Sequence, residues 1–164
     1  MELAAIYAST STETECPKKI AFIGSGPLPL SSLCMLDILS SRFSPFSSIS
    51  TATQNPKGPV TILNIDNDHL AISKSSQLCQ QLGAKGTGME FLCTDANGQE
   101  YDLGDCDVVF LAALVGESQE EKEALLENVA KKMRSGALLL IRSADRQRIL
   151  MYPVSFPCSV CECQ

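Results

Sequence analysis

Residues 18–30 read KKIAFIGSGPLPL, an apolar run that breaks into a glycine-rich turn and then into a helical pattern. Ile20, Ala21, Phe22 and Ile23 are consecutive and apolar, as a strand covered on both faces requires, since one open to water on one face would alternate. Gly24 and Gly26 then allow a tight turn and a close approach of backbone to ligand. A strand feeding such a turn and then a helix is the opening unit of a parallel, doubly wound sheet.

The remaining pattern keeps that alternation. The spacing predicts a first helix over 27–41, with Leu30, Leu33, Cys34, Leu36, Ile38 and Leu39 on a broad apolar face. Residues 42–59 are rich in Ser, Pro and Asn and read as a long loop. A second strand over 60–65 ends in Asp66. A helix over 69–82 follows, with Leu70, Ile72 and Leu78 as core candidates and Gly83 as its stop. Strands are expected over 89–93, 106–112 and 136–141, and an amphipathic helix over 120–134 carries Leu125, Leu126, Val129 and Met133 inward. Its start is acidic and its end basic, in keeping with the helix dipole. The expected fold is therefore α/β, a Rossmann-like parallel sheet of about five strands. Residues 1–17 read as a flexible leader, 18–152 as the domain and 153–164 as an irregular cysteine-rich tail.

Composition closes off several functions. A net charge of −6 and no basic stripe argue against a nucleic-acid partner. The first residues lack the apolar core of a signal peptide, and no run reaches the roughly 18 apolar residues of a membrane span, so a soluble, cytoplasmic protein is expected. Cys34, Cys79, Cys93 and Cys106 fall within apolar patterns and read as small hydrophobes. Cys158, Cys161 and Cys163 form a C-x2-C-x-C tail, but a metal site wants four ligands and the lone His69 is far away, so an exposed tail is preferred to a metal site.

The turn itself, Gly24-Ser25-Gly26-Pro27-Leu28-Pro29, departs from a dinucleotide fingerprint, which wants a third glycine where Pro29 stands. Prolines 27 and 29, placed in the first helical turn, would delete donors that a pyrophosphate uses. S-adenosylmethionine has no phosphate and loses nothing, so the turn favours an adenosyl sulfonium over NAD or FAD. Asp66, at the second strand's end, is placed for ribose hydroxyls, and Asp95 for an adenine amino group. The alternative makes both simple caps for the segments that follow.

The strings KKIAFIGSGPLPLSSL, ILNIDND, DVVFLAALVG, EEKEALLENVAKKMRSGALLLIRSA and LMYPV, in this order, resemble the nicotianamine synthase family, especially its fungal members. The resemblance implies a Rossmann domain of the S-adenosylmethionine-dependent methyltransferase kind that transfers the 3-amino-3-carboxypropyl group instead of the methyl. Three S-adenosylmethionine molecules are joined and the last cyclised, giving nicotianamine, a metal chelator, and 5′-methylthioadenosine. No metal is needed, because the sulfonium is already a good leaving group, but a general base must take the amine's proton. Carried over, Gly24 to Pro29 form the cofactor turn, Asp66 holds ribose, and Asp95 with Ala96 holds adenine. Leu111 to Val115, including Leu114 and Val115, line the site, and Arg142, Ser143 and Tyr152 contact carboxylates or amines; from the residues alone, Arg142 reads equally as a salt-bridged sheet-end residue and Tyr152 as a packed aromatic. Family members run longer on both sides, with a helical N-terminal domain and further strands. The sheet edge this leaves is a candidate for self-association. A binding module without turnover and an ordinary methyltransferase are the alternatives.

Overall fold

The computed structural model describes residues 17–42, 59–112 and 119–142. The predicted leader, the Ser/Pro-rich loop and the cysteine-rich tail lie outside these, as do Leu114, Val115, Ser143 and Tyr152. In chain order the elements are β1 (Lys19–Ile23), α1 (Leu30–Arg42), β2 (Thr61–Asp66), α2 (His69–Gln81), a short 3-10 turn (Gly83–Gly86), β3 (Met89–Cys93), β4 (Val108–Leu111), α3 (Gln119–Lys132) and β5 (Leu138–Ile141). The five strands form one sheet in the order β3-β2-β1-β4-β5. All neighbours run parallel, with Phe22 opposite Asn64 on one side and Phe110 on the other.

Strand β1 is central, which is why its apolar run is unbroken. Ile20 and Phe22 pack with Met35, Leu36 and Leu39 of α1 and with Ile62, Val108, Phe110 and Leu140. Ala21 and Ile23 face the opposite layer, against Leu125 and Val129 of α3 together with Ile65, Val109, Leu103 and Tyr101. Helices thus cover both faces, as parallel strands demand. Burying the side chains of such a core stabilises by roughly 1.5–3 kcal/mol each, so these two clusters hold the sheet.

The helix faces differ from expectation in detail. Helix α1 starts at Leu30 rather than residue 27. Leu30 is 60% exposed and Cys34 is also exposed, whereas Ser32, Met35, Leu36 and Leu39 are buried. In α2 Leu70 is 66% exposed and the buried positions are Ala71, Ile72, Ser75 and Cys79. Apolar residues nearly encircle α1, so periodicity alone leaves its inward face undetermined. Of the four cysteines read as core, Cys79 and Cys106 are buried and Cys34 and Cys93 are not. Burial, then the charge of Asp105, pushes the Cys106 thiol up to about 12, which makes it packing rather than a nucleophile.

One buried polar pair ties α1 to the sheet. Ser32 Oγ donates to Asn64 Oδ1 at 2.6 Å, and Asn64 Nδ2 donates to the Glu90 carbonyl at 3.2 Å. Both side chains are fully buried, so each needs this partner. Among the described residues no helix is long and apolar enough to cross a membrane.

Candidate functional site

Chain passes from strand to loop at the carboxyl edge of the sheet, and there the predicted residues converge. Gly24 and Gly26 take φ of 77° and 67°, the left-handed region that glycine enters without penalty. The turn is held to the next strand. Gly24 N–H and Ser25 N–H donate to the Ile65 carbonyl at 2.8 and 3.2 Å. Gly26 N–H donates to Asp66 Oδ2 at 2.8 Å, while Asp66 Oδ1 accepts from Asp68 N–H at 3.0 Å. Asp66 therefore fastens the turn and still carries one lone pair on each oxygen for a ligand hydroxyl. Asp68 in turn caps α2 by accepting from Leu70 N–H at 2.8 Å.

The prolines act differently from the sequence expectation. Leu33 N–H bonds the Pro29 carbonyl at 2.9 Å and Leu30 N–H the Leu28 carbonyl at 2.8 Å, so Pro29 precedes the helix instead of lying in its first turn. Pro27 and Pro29 strip no donors from α1. The turn is poor in donors for another reason: the N–H groups of Gly24, Ser25 and Gly26 are all committed to β2, and residues 27 and 29 have none. With a carboxylate at its centre, it is unsuited to cradling a phosphate.

Beside it, the segment after β3 folds into a turn in which Gly98 N–H bonds the Asp95 carbonyl at 2.8 Å and Asp95 Oδ1 accepts from Asn97 N–H at 2.9 Å. Three side chains hold its carbonyls. Tyr101 Oη donates to Ala96 at 2.5 Å, Asn128 Nδ2 to Asn97 at 3.0 Å, and Lys132 Nζ to Gly98. The Lys132 ammonium also sits 3.5 Å from the centre of the Tyr101 ring. Burial raises the Tyr101 hydroxyl, with the Asp95 charge adding to it, and burial lowers Lys132. Ala96 is buried and Asp95 exposed. Sequence reading missed this support, because Asn128 and Lys132 look like any polar residues on the outer face of α3.

On the other side of β1, β4 ends at Leu111 and β5 at Ile141, and Arg142 N–H continues the ladder to the Leu111 carbonyl at 2.9 Å. A cavity of about 110 Å³ opens there, walled by Ser25, Pro29, Ser31, Ala112 and Arg142. Phe22 and Phe110, stacked at 4.5 Å with planes 6° apart, also line it. Arg142 Nη2 donates to Ser31 Oγ at 3.0 Å. Gly24, Ser25, Gly26, Pro27, Leu28, Pro29, Asp66, Asp95, Ala96 and Arg142 thus lie along one sheet edge, the usual position for ligands in open parallel sheets. Among the described residues no group of three or more His, Cys, Asp and Glu is arranged to hold a metal, and His69 is an exposed residue at the start of α2.

Known structures share this fold. DszA carbon methyltransferase matches with a TM-score of 0.60 at 18% identity, over 89% of this chain and 34% of that one. Phosphoethanolamine N-methyltransferase 1 of Haemonchus contortus, solved with phosphoethanolamine and S-adenosylhomocysteine, matches with a TM-score of 0.55 at 19% identity, over 88% of this chain and 25% of that one. At such identities the likeness shows the S-adenosylmethionine-dependent methyltransferase fold alone. Sequence relatives are more specific. Nicotianamine synthase of Solanum lycopersicum is 39% identical over 90% of this chain and 41% of its own length. Nicotianamine synthase 9 of Hordeum vulgare is 38% identical over 86% of this chain and 36% of its own. The chain thus spans about two fifths of the length of these relatives. A family model described as nicotianamine synthase protein matches residues 2–163, and the chain belongs to that family.

Proposed function

We propose that this chain is the S-adenosylmethionine-handling core of a nicotianamine synthase. The observation that carries the reading is the Gly24–Pro29 turn, whose leading N–H groups are spent on β2 and whose centre is the Asp66 carboxylate. Such a turn accepts hydroxyls and a sulfonium and discourages phosphates. Asp66 takes the ribose hydroxyls, and Asp95 with Ala96 forms the adenine side. The family resemblance adds Leu114 and Val115, which lie outside the described residues, to the same ligand. In the reaction, the α-amine nitrogen of one S-adenosylmethionine attacks the γ-carbon of the aminocarboxypropyl group of another. The carbon–sulfur bond breaks, sulfur keeps the electron pair and leaves as 5′-methylthioadenosine, and a base removes the ammonium proton. The product chelates metals, which gives the protein its place in metal homeostasis, in the cytoplasm.

The test is to incubate the purified chain with S-adenosylmethionine alone and identify the products by mass. Nicotianamine with methylthioadenosine is the expected result. Binding without products supports a binding module instead. S-adenosylhomocysteine formed only with an added acceptor overturns the reading in favour of an ordinary methyltransferase.

A further inference from the structure

The chain that leaves β3 reaches β4 without a helix, and side chains hold its backbone instead. Three successive carbonyls are taken in this way. Tyr101 Oη donates to Ala96 at 2.5 Å, Asn128 Nδ2 to Asn97 at 3.0 Å, and Lys132 Nζ to Gly98. The N–H groups of Asn97 and Gly98 turn the other way, to Asp95 Oδ1 and the Asp95 carbonyl. The peptide planes joining Ala96 to Asn97 and Asn97 to Gly98 are therefore fixed from both edges.

This goes beyond satisfying buried groups. Asn97 is exposed, where water serves a carbonyl without tying down a side chain. Asn128 and Lys132 give up rotamer freedom to do so, a large sacrifice for lysine. The Lys132 ammonium also sits 3.5 Å from the centre of the Tyr101 ring, so two of the three donors steady each other. The turn is tight as well: a Cβ on Gly98 would lie 3.0 Å from the Asp95 carbonyl oxygen. Because Asp95 Oδ1 accepts from Asn97 N–H, the carboxylate takes its orientation from the same turn.

We propose that Tyr101, Asn128 and Lys132 are positioning residues for base recognition: they hold Asp95 and Ala96 where adenine is told apart from a base lacking the 6-amino group. The inference rests on the adenosyl reading and extends it to how the base is selected. A 6-amino group donates to a carboxylate, whereas a 6-oxo group is an acceptor and is repelled by it. Such discrimination needs the partner held to within about 0.5 Å, which exposed loops do not achieve unaided. Selectivity for the base thus depends on α3, whose Asn128 and Lys132 lie 31 and 34 positions from the residues they hold.

The experiment is a calorimetric titration of the full chain with 5′-methylthioadenosine and with 5′-methylthioinosine, in which oxygen replaces the 6-amino group. The wild type is expected to prefer methylthioadenosine about 30-fold. Lys132→Met, which keeps most of the stem, is expected to weaken methylthioadenosine about tenfold and methylthioinosine no more than about twofold. Tyr101→Phe, which keeps the ring, is expected to lower the preference about threefold. Lys132→Arg retains a charged donor over the ring and is expected to restore most of the preference. A preference unchanged in Lys132→Met and Tyr101→Phe, even with a lower melting temperature, assigns the three residues to stability alone and overturns the inference. No preference in the wild type also overturns it, while the adenosyl reading stands. Failure of the wild type to bind methylthioadenosine overturns both. Should Lys132→Met not fold, Tyr101→Phe carries the comparison.

Discussion

The two ends of the sheet are both rich in aspartate and use it in opposite ways. At the amino end Asp105 and Asp107 each meet a cation. Asp107 accepts from Lys18 N–H at 2.5 Å, Lys19 N–H at 3.1 Å and Arg134 Nη2 at 2.5 Å, and Lys19 Nζ lies 2.7 Å from Asp105. At the carboxyl end, among the described residues, the hydrogen bonds to the Asp66, Asp68 and Asp95 carboxylates come from backbone N–H groups. Charges matched within the fold hold strands together. Carboxylates that accept backbone N–H groups shape the loops at the edge where the proposed ligand sits.

That contrast can be broken at four places. The largest effect is expected at Asp66: Asp66→Ala removes a charged acceptor and the fastening of the turn, so affinity for S-adenosylmethionine falls about 30-fold, equivalent to about 2 kcal/mol. An unchanged dissociation constant by titration would take Asp66 out of the site. Asp107→Asn should do the reverse, lowering stability to urea by about 1.5–2 kcal/mol and leaving affinity within twofold. Burial works to raise the Asp107 carboxyl, but the N–H groups of Lys18 and Lys19 and the Arg134 guanidinium outweigh it and hold it below its ordinary 3.8. A carboxylate depressed in the folded state contributes stability that is present above the unfolded value and is lost as pH falls through the folded one. The acid limb of a melting-temperature profile below about pH 4 should therefore flatten in Asp107→Asn, and an unaltered limb contradicts the assignment.

A smaller loss is expected from Gly26→Ala. A Cβ there meets nothing within 4 Å, but φ is +67°, so the penalty is conformational, about 1 kcal/mol. Chemical denaturation measures it, and a loss above about 3 kcal/mol would mean a steric contact instead. Lys19→Met should be smallest, about 0.5 kcal/mol or less and abolished by high salt, because its partner Asp105 is mostly exposed. A salt-independent loss would show that packing of the Lys19 stem matters more than its charge.

Much of this architecture was legible in advance. The unbroken run Ile20–Ile23 announced a buried strand, and the glycine turn with Asp66 and Asp95 lies on one edge, because strand ends in a parallel sheet share that edge. What escaped notice depends on contacts between distant residues. Leu30 and Leu70 read as core from helical spacing, yet each lies in the first turn of its helix and is exposed. The tether of Asn128, Lys132 and Tyr101 to the Asp95–Gly98 turn depends on the path that the chain takes from β3 down the face of α3, which no local pattern records. Asn64 looked like one polar residue in an apolar strand, and only its pairing with Ser32 shows how it is tolerated.

The Arg142–Ser31 contact joins residues 111 positions apart, whereas Gly26 and Asp66 are 40 apart. A chain emerging from its N-terminus can thus close the glycine turn as soon as β1 and β2 have paired, long before β5 exists. The wall of the cavity waits for β5 to dock on β4, and contacts of such long range form slowly and late. The carboxyl edge is thus assembled in two stages: the glycine turn is ready first, and the cavity wall is complete only when the last strand is in place.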